Sequence, residues 1–126
     1  MFLVDSNIFL EGLLEQEQSS KVQSFLEKTN VNDLYITNFS LHSIGVLLTR
    51  VKKINLLHRF INDVVLNRIE VLLINPEDLN KVIENIEKFS LDFDDAYQYT
   101  IAKTYNLQIV SFDKDFDRTD IKRIEP

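Results

Sequence analysis

Aspartates concentrate at three places along the chain, and each place adjoins an expected strand end or helix start. Asp5 follows the apolar residues 2–4, and Asp92, Asp94 and Asp95 stand at a helix start. Asp113, Asp115 and Asp117 follow residues 107–112, which are largely apolar. Carboxylates that share one crevice raise one another's pKa, whereas Mg²⁺ or Mn²⁺ binds such oxygen ligands and keeps several waters. A cation held in this way polarises phosphoryl oxygens and lowers the pKa of an attacking water. The pattern favours metal-dependent phosphodiester hydrolysis if the three places are neighbours in the fold.

The first of these places is the polar triplet Asp5, Ser6 and Asn7. In an open parallel sheet, ligands bind outside the carboxyl ends of the strands near the switch point, so this triplet is a candidate site. Ser6 or Asn7 could also cap the helix that Ile8 opens, and the two roles are compatible. A capping role would explain Ser6 and Asn7 but would leave Asp5 unexplained.

The remaining acids have competing interpretations. Asp92 and Asp94 are interpreted as helix caps, and Asp95 falls within the first turn, where the helix dipole explains it about as well as a metal does. Asp113 follows its strand directly, which favours a functional role. Asp115 and Asp117 are expected in the turn, although Asp115 could share the role of Asp113.

Composition narrows the kind of protein and the kind of site. A chain of 126 residues with 44% hydrophobic residues is expected to form a single domain over 1–126. The absence of cysteine and the presence of two histidines argue against thiolate and zinc sites, so a metal would be held by oxygen. No apolar run is long enough for a membrane span, and we expect a soluble, cytoplasmic protein. A net charge of −6 argues against a general nucleic-acid-coating protein.

Apolar periodicity predicts strands that alternate with one or two helices. Strands are expected near residues 2–5, 34–37, 69–74, 107–112 and 121–124, and helices near 8–14, 20–28, 41–51, 56–67, 79–86 and 91–105. Asn38 or Ser40 is expected to cap the third helix. Because each strand is almost entirely apolar, the prediction is a three-layer α/β fold with a central parallel sheet of four to five strands. The chain has two glycines, so it has no glycine-rich phosphate loop.

Three motifs carry a resemblance to a known family. The segments LVDSNIFL, LDFDDAYQYTIA and SFDKDF resemble those of the PIN domain, and in particular of the small VapC-type ribonucleases of toxin–antitoxin pairs. The resemblance implies a parallel sheet between helices, Mg²⁺ or Mn²⁺ bound by clustered acids, and RNA cleavage that leaves a 5′-phosphate. It places the catalytic and metal-binding acids on Asp5, Asp95 and Asp113, with Ser6, Asn7 and Ser111 in supporting positions, and Asp115 is kept as a further supporting candidate from its place after the strand.

One position departs from the family pattern. The family usually carries a glutamate on the helix after the second strand, and the alignment puts Ser43 there. A serine brings no negative charge to a cation. The adjacent His42 is not expected to compensate, because neighbouring helix positions point about 100° apart. Reduced metal affinity or activity is therefore an alternative outcome.

The leading hypothesis is a metal-dependent ribonuclease that is the toxin of a toxin–antitoxin pair, and two alternatives compete with it. One is a catalytically weak PIN module that binds RNA or a protein. The other is a haloacid-dehalogenase-type phosphatase, which needs a second acid where this chain has Asn7. We expect a homodimer that also binds an antitoxin, with residues 8–28 and 56–66 as contact surfaces. Basic residues expected near the crevice are Lys103, Lys114 and Arg118, with Arg50, Lys52 and Lys53 farther along, and these could contact RNA phosphates.

Overall fold

The computed structural model describes residues 1–67 and 69–126 and contains a parallel sheet of five strands in the order β3-β2-β1-β4-β5. The strands are β1 (Phe2–Val4), β2 (Leu34–Thr37), β3 (Glu70–Leu72), β4 (Gln108–Val110) and β5 (Arg123–Ile124). The helices are α1 (Ser6–Leu13), α2 (Ser19–Lys28), α3 (Asn38–Arg50), α4 (Ile54–Phe60), α5 (Leu79–Phe89) and α6 (Phe93–Thr104). The predicted three-layer α/β fold with a parallel sheet is confirmed.

The register of the central strands determines which residues meet at the carboxyl edge of the sheet. β1 lies between β2 and β4, and Val4 pairs with Val110. The strand order reverses on either side of β1, which makes this edge the switch point of the sheet. The residues that follow β1 and β4 in the chain therefore emerge side by side.

The two faces of the sheet bury separate hydrophobic clusters. Leu3 and Ile109 face the cluster that includes residues of α5 and α6, whereas Val4 and Val110 face the cluster built with α1 to α4. All four side chains are fully buried. The alternation follows from the two-residue period of a strand, and burial on both faces explains why adjacent residues of β1 and β4, such as Leu3 with Val4 and Ile109 with Val110, are all apolar.

Several boundaries differ from the predicted ones. The cap of α3 is Thr37, whose Oγ1 accepts a hydrogen bond from the backbone N–H of Ser40 at 2.9 Å, so the expectation of Asn38 or Ser40 was wrong. The predicted helix over 56–67 begins at Ile54 and turns into a π-helical segment over Ile61–Val65. Among the described residues, no helix combines the length and the apolar character that a membrane crossing requires.

Candidate metal centre

A polar cleft of about 230 Å³ opens at the carboxyl edge of the sheet. Its walls come from the residues that follow β1 and β4, from the first turn of α1, and from the first two turns of α3 and α6. The lining residues are Asp5, Ser6, Asn7, Phe39, Ser40, Ser43, Asp92, Asp94, Asp95, Gln98 and Asp113. Five of these residues are aspartates, so the cleft gathers acids from three separate parts of the chain.

Asp5 is buried at the base of the cleft and is held by four hydrogen-bond donors. Oδ2 accepts from Ser111 Oγ at 2.7 Å and from Asn7 Nδ2 at 3.1 Å, and Oδ1 accepts from Gln98 Nε2 at 3.1 Å and from Ser6 Oγ at 3.3 Å. Burial raises the pKa of Asp5 above its ordinary value, while the hydrogen bonds, led by the one from Ser111, act in the opposite direction. The donors fix the carboxylate in one orientation.

The sheet register explains why Ser111 meets Asp5. Because Val4 pairs with Val110, the next residues on the two strands, Asp5 and Ser111, leave the sheet together. The Ser111 hydroxyl also accepts from Asn7 Nδ2 at 3.1 Å and from the backbone N–H of Asp113 at 2.9 Å, so it connects the end of β1 to Asp113. Neither Ser6 nor Asn7 caps α1, because the N-cap residue is Asp5 and the cap has no side-chain hydrogen bond.

Three other carboxylates form a tight group beside Asp5. Asp95, Asp113 and Asp115 each offer an oxygen within 4.8 Å of the other two. Asp113 Oδ1 accepts from the backbone N–H of Asp115 at 2.9 Å, which starts the short 3₁₀ turn that turns Asp115 back toward the cleft. Asp115 also pairs with Arg118 at 2.9 Å, and both side chains are about half exposed, so this surface ion pair contributes little stability.

The clustering of acids affects the pKa of Asp95. Its pKa is raised to about 8, first by burial and then by the negative charges of Asp92, Asp113, Asp5 and Asp115. Its Oδ2 atom is buried and has no hydrogen-bond partner. An unpartnered carboxylate oxygen among other carboxylates is suited to a divalent cation, so the residues present fit an oxygen-ligated metal.

The structure brings the predicted site residues together at this cleft. Asp5, Ser6, Asn7, Ser43, Asp95 and Asp113 line it, Ser111 contacts Asp5, and Asp115 joins the acidic group. The tightest set of three is Asp95, Asp113 and Asp115, rather than the expected set with Asp5. The role of each residue toward metal or substrate stays a prediction.

Three residues next to the predicted site residues have different positions: one caps a helix, one lines the cleft and one is exposed to solvent. The predicted cap role of Asp92 is confirmed, since its Oδ1 accepts from the backbone N–H of Asp95 at 2.9 Å. Asp94 makes no such cap contact and lines the cleft instead. His42 is exposed, as expected for a residue beside Ser43 and outside the site.

Lys103 does not lie near the cleft, so that expectation was wrong. It pairs with Asp120 at 3.0 Å and stands in the last turn of α6, eight residues beyond Asp95. A helix rises 1.5 Å per residue, which separates the two positions by about 12 Å. Arg118 reaches the acidic group through its contact with Asp115.

Sequence reasoning missed Gln98, which is buried in the cleft and bonded to Asp5. A signal for it was present, because a glutamine three residues after Asp95 shares its helix face in a segment that is otherwise largely apolar. Phe39 and Ser40 were also missed as wall residues. Their positions depend on the start of α3 at Asn38, which the predicted cap placed differently.

Comparison with known proteins places the chain in a family. The PIN domain model matches residues 2–122, and a search of curated proteins gives no match. Similar solved structures include Mycobacterium tuberculosis VapC20, a sarcin-ricin loop cleaving toxin, with a TM-score of 0.86 and 14% identity over 100% of both chains. A toxin–antitoxin complex from Klebsiella pneumoniae has a TM-score of 0.73 and 16% identity, covering 92% of this chain and 90% of that one.

VapBC2 from Rickettsia felis, bound to a DNA fragment from their promoter, has a TM-score of 0.72 and 17% identity, covering 98% of this chain and 97% of that one. At these identities the structural likeness shows a shared fold. The family is shown by the PIN domain model, which matches nearly the whole chain. The chain belongs to the PIN domain family.

Proposed function

We propose that the protein is an endoribonuclease that hydrolyses RNA with Mg²⁺ or Mn²⁺ and acts as the toxin of a toxin–antitoxin pair. One observation carries the proposal: Asp95, Asp113 and Asp115 offer oxygens within 4.8 Å of one another, and Oδ2 of Asp95 has no hydrogen-bond partner. Family membership supports nuclease chemistry at this cleft. The phosphatase alternative is set aside, because its general-acid position is Asn7, a donor to Asp5.

The acids have different tasks in this proposal. Asp95, Asp113 and Asp115 would hold the cation, with Asp5 beside them at the base of the cleft. When bound, the cation would supply a Lewis acid for the phosphoryl oxygens and a lower pKa for the attacking water. The raised pKa of Asp95 means that, without a cation, this carboxyl keeps its proton to a higher pH than an ordinary aspartate does. Positive charge in the cleft favours its ionised form.

The polar residues around Asp5 would orient its carboxylate before RNA binds. Ser111 and Asn7 hold Oδ2 of Asp5, so the carboxylate does not have to reorient when a substrate binds. The reaction adds water to the phosphodiester, breaks the bond from phosphorus to the 3′ oxygen, and leaves a 5′-phosphate and a 3′-hydroxyl. The proton of the attacking water passes to a base at the site, and the leaving 3′ oxygen gains a proton.

A protein partner is the second part of the proposal. The similar structures include a toxin–antitoxin complex and VapBC2, and this chain has a groove of about 760 Å³ between the α1–α2 hairpin and the segment of α4 and the π turn. Leu13, Leu26, Leu56 and Val64 supply much of its apolar wall. We propose that an antitoxin segment binds along this groove, on the surfaces that the sequence predicted for association.

A second candidate function is a PIN module with weak or no catalysis. Ser43 lines the cleft at the position where the family resemblance implies a glutamate. A cation there would have one charged ligand fewer, which lowers affinity for a hard cation. An assay of RNA cleavage decides between the two candidates, because a weak module binds RNA without cutting it.

The test is cleavage of total bacterial RNA by the purified chain, read as new 5′-phosphate ends. We expect cleavage with Mg²⁺ or Mn²⁺ and none with EDTA. Asp113→Asn should lower the rate at least about 100-fold, since even indirect partners of a metal site cost 10- to 100-fold. Asp33→Asn, which removes a carboxylate outside the cleft, is the matched control and should cleave like the parent. Cleavage that survives both EDTA and Asp113→Asn would refute the proposal.

A further inference from the structure

Two oxygens stand out among the buried polar side chains of the described residues. Asp95 Oδ2 and Gln98 Oε1 are the only buried side-chain nitrogen or oxygen atoms there without a hydrogen-bond partner. The two residues are 6% and 4% exposed and both line the cleft. They are three residues apart on α6, which puts them on one helix face. A buried acceptor without a donor is unfavourable, so two at one place call for a common explanation.

The amide of Gln98 has a defined orientation because of Asp5. Gln98 Nε2 donates to Asp5 Oδ1 at 3.1 Å, and an ionised carboxylate can only accept. The opposite orientation would set two acceptors against each other. The amide oxygen is therefore turned away from Asp5 for as long as Asp5 is ionised. The donor of Gln98 is used, and its acceptor remains available.

A purely structural role does not account for this arrangement. Thr100 is buried on the same helix, and its hydroxyl donates to the Ala96 carbonyl at 2.7 Å and accepts from Asn85 Nδ2 at 2.9 Å. Thr100 thus has its hydrogen bonds satisfied in the way that buried polar groups usually do. Gln98 does not, and it differs from Thr100 in facing the acidic cleft.

We propose that Gln98 belongs to the cation site: its amide nitrogen positions Asp5, and its amide oxygen is a neutral oxygen donor to the divalent cation and its waters. Amide oxygens are accepted ligands of hard cations. A neutral donor adds a contact without adding another charge to acids that already repel one another. This compensates in part for Ser43, which brings no carboxylate to the same cleft.

The test measures Mn²⁺ affinity by calorimetry, together with thermal unfolding with and without Mn²⁺. Gln98→Met keeps the length of the side chain and removes both polar atoms. We expect Mn²⁺ affinity to fall about 10- to 100-fold and the Mn²⁺-induced rise in melting temperature to shrink. The melting temperature without metal should change little, because the lost bond to Asp5 is offset by removal of the unpartnered oxygen. Thr100→Val, the matched control, should bind Mn²⁺ within about twofold of the parent.

Gln98→Glu separates the two atoms of the amide and remains informative if Gln98→Met does not fold. It keeps an oxygen facing the cation and replaces the donor to Asp5, so Mn²⁺ binding should equal or exceed that of the parent while the metal-free protein melts lower. Parental Mn²⁺ affinity in Gln98→Met, or a loss in Gln98→Glu like that expected for Gln98→Met, would overturn the inference. The inference rests on the proposed function, and a parent chain that binds no Mn²⁺ would overturn both.

Discussion

Two aspartates of the cleft, Asp5 and Asp95, have identical side chains but different surroundings. Asp5 is buried but receives four hydrogen bonds, so both of its oxygens are occupied. Asp95 is equally buried, yet its Oδ2 has no partner and other acids surround it. Asp5 is fixed by neutral donors from the protein, whereas Asp95 lacks a donor. This difference is the reason for proposing Asp95 as a ligand of the cation.

Ser43 provides the sharpest test at the residue scale. Ser43→Glu would add a carboxylate to the wall of the cleft, and affinity for hard cations rises with the charge of the ligands. We expect Mg²⁺ or Mn²⁺ to bind on the order of 10-fold tighter. RNA cleavage at limiting metal should rise as well. The metal-free variant should be less stable than the parent, because another acid joins a group that already repels itself.

Thermal melts with and without Mn²⁺ separate these effects, since the variant should gain more from the metal than the parent does. His42→Glu is the matched control, because His42 lies next to Ser43 but is exposed outside the cleft. If Ser43→Glu changes neither metal binding nor cleavage, Ser43 does not act on the cation and the alignment of α3 with the family is wrong.

At the scale of elements, the strands and the three-layer arrangement could be predicted, because runs of apolar residues indicate which elements are buried. Residues 2–4 are continuously apolar and residues 107–112 are largely so, and both lead into acids that the register then sets side by side. The boundary at Thr37 could not be predicted in the same way. Several polar residues in succession can cap a helix, and the end of β2 decides which of them does.

The end of α4 could not be predicted from the sequence either. Apolar residues continue at helical spacing to Val65, but the hydrogen bonds widen to a π pattern from Ile61. Apolar spacing reports which side chains face inward and carries no information on hydrogen-bond spacing. Asp115 was expected mainly as a turn residue for a similar reason, since its approach to Asp95 depends on the 3₁₀ turn over Lys114–Arg118.

At the scale of the whole molecule, the net charge of −6 has to be reconciled with an RNA substrate. Phosphate backbones are attracted by lysine and arginine, and a net negative surface repels them. The acids of the cleft increase this repulsion, and a bound divalent cation reverses it locally. RNA binding should therefore depend on the cation for attraction as well as for chemistry.

Association is the second expectation for the whole molecule. The surfaces over 8–28 and 56–66 are the expected contact surfaces, and exposed apolar surface outside the groove proposed for the antitoxin favours contact with another copy of the chain. We expect light scattering coupled to gel filtration to find a homodimer at micromolar concentration. A mass of one chain at every concentration up to the solubility limit would remove the homodimer from the account.

The central claim is that the acids of the cleft form one divalent-cation site, and the most direct test is to locate the ion. Crystals grown with Mn²⁺ and measured by anomalous diffraction should show a peak in contact with carboxylate oxygens of Asp95 and Asp113. The peak should vanish in Asp95→Asn crystals and persist in Asp33→Asn crystals. A cleft without an anomalous peak at saturating Mn²⁺, with Asp95 and Asp113 unchanged in position, would contradict the claim.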